Sequence, residues 1–172
     1  MRLSFSLLAN AAVALTATLA LTACADSKHS DIKELVARTL ECSYNPENKL
    51  KIVEINEPDS TFGVKCLPEK ELERIAANID DISNYIMEKT HDMTDFNPND
   101  GKTAFLANQQ MQASAQITDL FAYSQSRRPF NGWYVRALYT VTFGKQIIKM
   151  QKWFFINKQG DLVYHTFELA VP

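Results

Sequence analysis

Residues 133–143 read Trp133-Tyr134-Val135-Arg136-Ala137-Leu138-Tyr139-Thr140-Val141-Thr142-Phe143. The odd positions are Trp, Val, Ala, Tyr, Val and Phe, and the even ones include Arg136, Thr140 and Thr142. Successive side chains of a strand point to opposite faces, so this period of two predicts a strand with an apolar inner face and a polar outer one. Residues 146–156 and 161–171 supply two more strands. The breaks between them, Gly144-Lys145 and Asn157-Lys158-Gln159-Gly160, are made of residues that suit tight turns. Three long antiparallel strands need a cover for their apolar face.

The cover is found upstream. Pro68 suits the first turn of a helix, where its missing N–H costs nothing. Leu72, Ile75, Ile79, Ile82 and Ile86 then recur every three or four residues, with Glu, Arg, Asn and Asp elsewhere. That stripe predicts a helix facing the core, and five positions do not make a coiled coil. The pattern breaks over residues 92–101, and Phe105, Leu106, Ala113, Ile117, Leu120 and Phe121 predict a second long helix over 102–123. Near the start of the domain, Asp31-Ile32-Lys33-Glu34 has capping-box spacing. Ile32, Leu35, Val36, Thr39 and Leu40 extend it into a short amphipathic helix over 31–42. A strand led by Leu50-Lys51-Ile52, the turn cluster at 56–60 and the alternating Thr61–Cys66 predict a β-hairpin. The expectation is a single α+β domain over 31–172: a short N-terminal helix, a hairpin, and two longer helices packed on a C-terminal three-stranded antiparallel meander. Over residues 68–172 this order resembles NTF2-like or cystatin-like domains, although the early hairpin departs from their usual order. The resemblance implies helices packed into a concave sheet and carries no function.

The first residues have a different character. Arg2 precedes an apolar run from Leu7 to Leu21, and a small residue, Ala23, stands before Cys24. These are features of a removed export signal, placed here at residues 1–23. An uncleaved membrane anchor would need about 20 strongly apolar residues; a signal for soluble secretion would need no cysteine. Leu21-Thr22-Ala23-Cys24 resembles the lipobox of bacterial lipoproteins, Leu-(Ser/Thr/Ala)-(Gly/Ala)-Cys. The resemblance implies a diacylglycerol on the Cys24 thiol, cleavage ahead of it and acylation of the new amine by a chain such as palmitate. Ala25, rather than Asp, after the cysteine implies sorting to the outer membrane, with the lipid anchor at its periplasmic face. Each buried methylene adds about 0.8 kcal/mol, so several acyl chains hold essentially permanently. Residues 24–30 form the tether, and a flexible segment of that length spans only about 14 Å, which keeps the domain close to the bilayer.

Three cysteines in an exported chain ask for an explanation. With Cys24 acylated, Cys42 and Cys66 remain for a disulfide in an oxidising compartment, worth about 3.5 kcal/mol on the loop-entropy model. The alternative is two free buried thiols. Charge is divided: residues 25–100 carry 17 acidic and 9 basic side chains, and residues 101–172 carry 8 basic and 3 acidic. Either an acidic helical half and a basic sheet each solvate their own face, or a basic face meets an anionic partner such as lipid headgroups or an acidic protein. Nucleic acid is excluded by compartment.

Motifs for chemistry are sparse. The five glycines make no phosphate-cradling loop and no nucleophile turn. His29, His91 and His165 are not spaced for a shared metal; His29 reads as solvated in the tether and His165 as hydrogen-bonded in the last strand. Asp95, Asn97 and Asn99 occupy positions 1, 3 and 5 of a calcium loop, but Asp100 stands where Gly is needed and Leu106 where the bidentate Glu is needed. The segment therefore reads as a turn, with no metal and no cofactor expected. Arg127-Arg128-Pro129-Phe130-Asn131-Gly132-Trp133 joins the second long helix to the sheet. Arg127, Arg128, Phe130 and Trp133 are residue types that dominate binding hot spots and form the candidate recognition patch. The plain alternative is a connector with solvated arginines and rings that fill the bottom of the core. The functional expectation is a non-enzymatic protein-binding module of the cell envelope, of the assembly-accessory or inhibitor/immunity type, anchored to the membrane by its N-terminal lipid. The alternative is a small-ligand binder with a pocket between helices and curved sheet, lined from Phe143, Trp153, Phe154, Phe155 and Phe167.

Overall fold

The computed structural model describes residues 27–124, 128–143 and 146–172, leaving the side chain of Phe143 aside. Among these residues the order is α1 (27–42), β1 (Lys51–Ile55), β2 (Asp59–Thr61), α2 (Glu69–Lys89), α3 (Gly101–Ser124), β3 (Gly132–Phe143), β4 (Gln146–Asn157) and β5 (Val163–Val171). The protein is α+β, with β3, β4 and β5 forming an antiparallel meander after the two longer helices. The expected signal segment at residues 1–23, Cys24 and the turn expected at Gly144-Lys145 lie outside the described residues.

Local chemistry explains the helix boundaries. Pro68 is extended ahead of α2, and Glu69 and Glu71 place negative charge in the first turn, where the helix dipole favours it. At the other end Thr90 returns both its N–H and its hydroxyl to the Ile86 carbonyl. His91, Asp92 and Met93 then take positive φ (45°, 55° and 68°), which ends the helix. Asp100 opens α3 by accepting the Thr103 hydroxyl at 2.6 Å.

The sheet runs β1-β3-β4-β5, with β2 also paired to β3. The short strands β1 and β2 therefore do not form the expected hairpin. Both lie along the outer edge of β3, β1 against residues 137–140 and β2 against residues 132–134. The alternation of Thr61–Cys66 does not become a strand for a local reason. The Thr61 hydroxyl bonds the carbonyls of Gly63 and Cys66, and Gly63 (φ 138°) and Lys65 (φ 59°) turn the chain.

Both faces of the meander are covered. Trp153, Phe154, Phe155 and Ile156 are consecutive and all fully buried, which a strand permits only when each face has a cover. One face carries Trp133, Val135, Ala137, Tyr139 and Val141, and α1 lies across it. Its N-terminal end meets Trp133 through Lys28 and His29, and just beyond its C-terminal end Tyr44 meets Tyr139. Gly160, in the β4–β5 turn, makes that approach possible. A Cβ there would lie 3.0 Å from Ile32 Cγ1, and its φ of 86° disfavours a side chain in any case.

The opposite face holds α2, and here the alternation misleads. Arg136 occupies an even, supposedly outward position, yet it is only 7% exposed. It faces Glu71, itself 7% exposed, at 3.6 Å, and its Nη2 donates to Asn56 at 3.0 Å. Trp153, paired with Arg136 across the ladder, donates its indole N–H to the same carboxylate at 2.8 Å. Arg74 approaches the second carboxylate oxygen at 3.5 Å. One turn pair further along α2, Asn78 donates to the Ala170 carbonyl on the edge strand β5 at 2.8 Å. The buried line of α2 is thus Glu71, Ile75, Asn78, Ile82 and Ile86, with Leu72 and Ile79 at its margin.

Removing one member of a buried ion pair leaves the other charge uncompensated, typically at about 3–5 kcal/mol. Glu71→Ala is expected to lower unfolding free energy by about that amount in a denaturant titration, with Glu71→Gln retaining part through the indole bond. On the α1 face, the Tyr44 and Tyr139 hydroxyls lie 2.9 Å apart, and Tyr44 donates to Glu168 at 3.1 Å. Burial, then the Glu168 carboxylate, raises both phenols above their ordinary range. The folded chain therefore keeps protons that the unfolded chain releases near pH 10. Stability should be intact below that pH and fall as pH rises above it, and Tyr44→Phe should flatten the decline in alkaline melting curves.

Candidate functional site

The end of the sheet where β3 and β5 begin and β4 finishes gathers most of the residues expected to mediate recognition. Gly132 sets the geometry: a Cβ there would fall 2.0 Å from the Ile156 carbonyl oxygen, so only glycine lets β3 start against β4 at this register. Trp133 follows, half-buried against the core margin, and donates its indole N–H to the Lys158 carbonyl at 3.3 Å. Phe130 stands edge-on to it at 5.5 Å, and Phe62, 51% exposed, stands edge-on to Phe130 at 6.4 Å. His29 meets the other side of Trp133 at 5.4 Å. Lys28 sits 5.3 Å over the Trp133 ring and Lys158 6.0 Å over Phe130, distances at which a cation is attracted to the ring face.

The structure therefore brings together Phe130 and Trp133 of the expected patch. Arg128 is exposed and leans over Tyr123 at 5.7 Å, near Gly63. Arg127 lies outside the described residues. Phe62, Lys28, His29 and Lys158 were not legible as members, because they come from segments far apart in the chain. His29 is not free in a tether: it lies within α1, its ring edge-on to Trp133 at 5.4 Å.

A second surface was missed altogether. Between Lys102 and Asp119, α3 carries no charged side chain. Thr103, Leu106, Ala113 and Leu120 are buried, while Met111 is 67% and Phe121 37% exposed, and Gln112, Ser114, Ala115 and Thr118 also face outward. Beside Phe121 a groove of about 440 Å³ runs between α2 and α3, with Leu67, Leu72 and Ala76 on its wall and Glu69 and Glu73 at its rim. The signal that could have revealed this face is the uncharged run itself, since a solvated helix surface ordinarily carries charge.

The remaining expectations place as follows. His165 lies against Phe155 at 5.6 Å, its basicity lowered by burial and by Lys65. His91 pairs with Asp95 at 2.9 Å, and Asn97 accepts the Asn99 N–H, so the Asp95–Asn99 side chains are used in turn contacts. Among the described residues, no three His, Cys, Asp or Glu side chains are grouped to hold a metal, and no helix is long and apolar enough to cross a membrane. Trp153, Phe154, Phe155 and Phe167, the rings available to line a ligand pocket, are buried in the core.

Cys42 and Cys66 are free thiols, in place of the expected bridge. Cys42 ends α1 beside Tyr44, whereas Cys66 lies near Gly63, at the end of the sheet where α1 begins. The fourteen helical residues from His29 to Cys42 rise about 20 Å at 1.5 Å per step. A disulfide needs Cα atoms within about 7 Å.

Comparison with family models, with curated proteins and with solved structures returned no match. Alkylation of the unfolded chain without reductant should therefore label both Cys42 and Cys66. Recovery of an unlabelled pair that takes up label only after reduction would contradict this geometry.

Proposed function

We propose that the protein is a lipid-anchored, non-enzymatic binding module at the periplasmic face of the outer membrane, acting through protein–protein contact. The observation that carries the binding half of this reading is the outward face of α3. It is long, uncharged from residue 103 to 118, and ends at the exposed Phe121 beside an apolar groove. The cores of protein interfaces are depleted in charge and enriched in Met and aromatic side chains, the character of Met111 and Phe121. A partner helix or strand laid on this face would desolvate no fixed charge between Lys102 and Asp119.

The anchor half rests on Leu21-Thr22-Ala23-Cys24. Four residues of chain span at most about 14 Å in any conformation, so an acylated Cys24 would hold Lys28 of α1 close to the bilayer. The filled core supports protein contact over the small-ligand alternative, because the rings that would line a pocket pack against one another: Trp153 and Phe167 lie 5.6 Å apart.

The test is capture from detergent-solubilised envelopes by the tagged full-length chain, compared with Met111→Glu and Phe121→Glu. Charges at a hot spot should reduce recovery of a stoichiometric partner by roughly tenfold or more; Met111→Glu, at a side chain 67% exposed, should keep the melting temperature within a degree or two, whereas Phe121, 37% exposed, gives up more packing. Equal recovery by the variants would remove α3 as the binding face. A bound small molecule in native mass spectrometry, with no protein partner, would favour the ligand-binding alternative.

A further inference from the structure

The aromatic cluster at the start of β3 lies at one particular place in the fold, the end where α1 begins. We propose that this end, carrying Phe62, Phe130, Trp133, Lys28 and Lys158, rests on an anionic phospholipid surface with its rings at headgroup level. The inference builds on the lipid-anchor reading and assigns the face of the domain that the anchor draws down.

Position is the first argument. Trp133 touches Lys28 and His29 of α1, only four and five residues along the chain from Cys24. At most about 14 Å of chain separates Cys24 from Lys28. An anchor that short draws this end of the sheet, rather than its opposite end or the C-terminal end of α1, toward the acyl chains. Chemistry is the second argument. Phe62 is 51% and Leu162 58% exposed, which is costly in water and favourable at a bilayer interface. Trp is the side chain most at home at the headgroup boundary, where its ring is partly dehydrated and its N–H remains bonded, as here to the Lys158 carbonyl.

Charge is the third argument. Lys28 and Lys158 flank the rings, and basic side chains at a membrane surface are drawn to anionic lipid. Of the nearby acids Glu57 is paired with Lys33, whereas Asp59 and Asp161 accept from the neutral Tyr134 hydroxyl and Asn157 amide and keep their charge, so the attraction rests on Lys28 and Lys158 flanking the rings. The acyl chains hold the protein at the bilayer, and the apolar and basic patch sets which face lies against it.

Trp153 is fully buried in the core, so quenching from the lipid phase reports Trp133. The full acylated protein would be reconstituted into vesicles of phosphatidylethanolamine with about one third phosphatidylglycerol, with and without brominated acyl chains, and its fluorescence compared. Emission from Trp133 should be quenched by roughly half in brominated vesicles. The double reversal Lys28→Glu/Lys158→Glu, and separately Phe62→Ser, should lose most of that quenching while still sedimenting with the vesicles and melting normally. Sedimentation without quenching overturns this face while leaving the anchor intact. Failure to sediment at all overturns the anchor and this orientation with it. A photo-crosslinker at residue 130 that yields a protein adduct in native membranes, in place of lipid, gives the patch to a protein partner and also overturns the proposal.

Discussion

A carboxylate removed from water governs the junction between α2 and the sheet. Glu71 accepts the Trp153 indole N–H and faces the guanidinium groups of Arg136 and Arg74, all beneath the first turn of the helix. Its desolvation is tolerable only while these partners remain in place, so the helix is fixed in height and rotation on the sheet. Once α2 is fixed in this way, Ile75, Ile82 and Ile86 follow into the core and Asn78 meets the Ala170 carbonyl on the edge strand. With α2 locked there, α3 packs alongside it and its far side is left to solvent. The other face of the sheet is closed by α1, whose two ends are held by Trp133 and by the Tyr44–Tyr139–Glu168 group.

The order and extent of the long elements were legible because each depends on local periodicity. Residues 133–143 alternate and form β3, the Ile stripe forms α2, and the Asn157–Gly160 cluster turns β4 into β5. What failed to show was non-local. Arg136 reads as an outward polar residue because its partner Glu71 belongs to a helix far upstream, and nothing near either one announces the pairing. The buried line of α2 is rotated slightly from the purely apolar stripe for the same reason: two polar side chains, Glu71 and Asn78, are buried in it because each meets a group on the sheet. The hairpin expectation failed through a hydroxyl and two left-handed residues, details that alternation of hydrophobicity does not register. The two cysteines are near in sequence but lie at opposite ends of α1, a relation that only the path of the chain over the sheet determines.

The candidate surfaces divide in the same way. Phe130 and Trp133 could be picked out as a rare concentration of hot-spot residue types in a connector. Their neighbours Phe62, Lys28 and Lys158 converge on them from β2's exit, the start of α1 and the β4–β5 turn. The uncharged face of α3 was visible as composition, yet composition alone does not say which side of a helix is left bare. With the fold in hand the two surfaces separate: an aromatic and basic end beside the departing chain, and a neutral helical face on the outer side of α3.

Cys24, as the proposed attachment point, would orient every other surface. Intact mass spectrometry of the protein extracted from membranes tests it directly. The expected species begins at residue 24 and carries a diacylglycerol and an amide-linked acyl chain. A species that retains residues 1–23, or begins at another residue with an unmodified thiol at 24, would contradict the account.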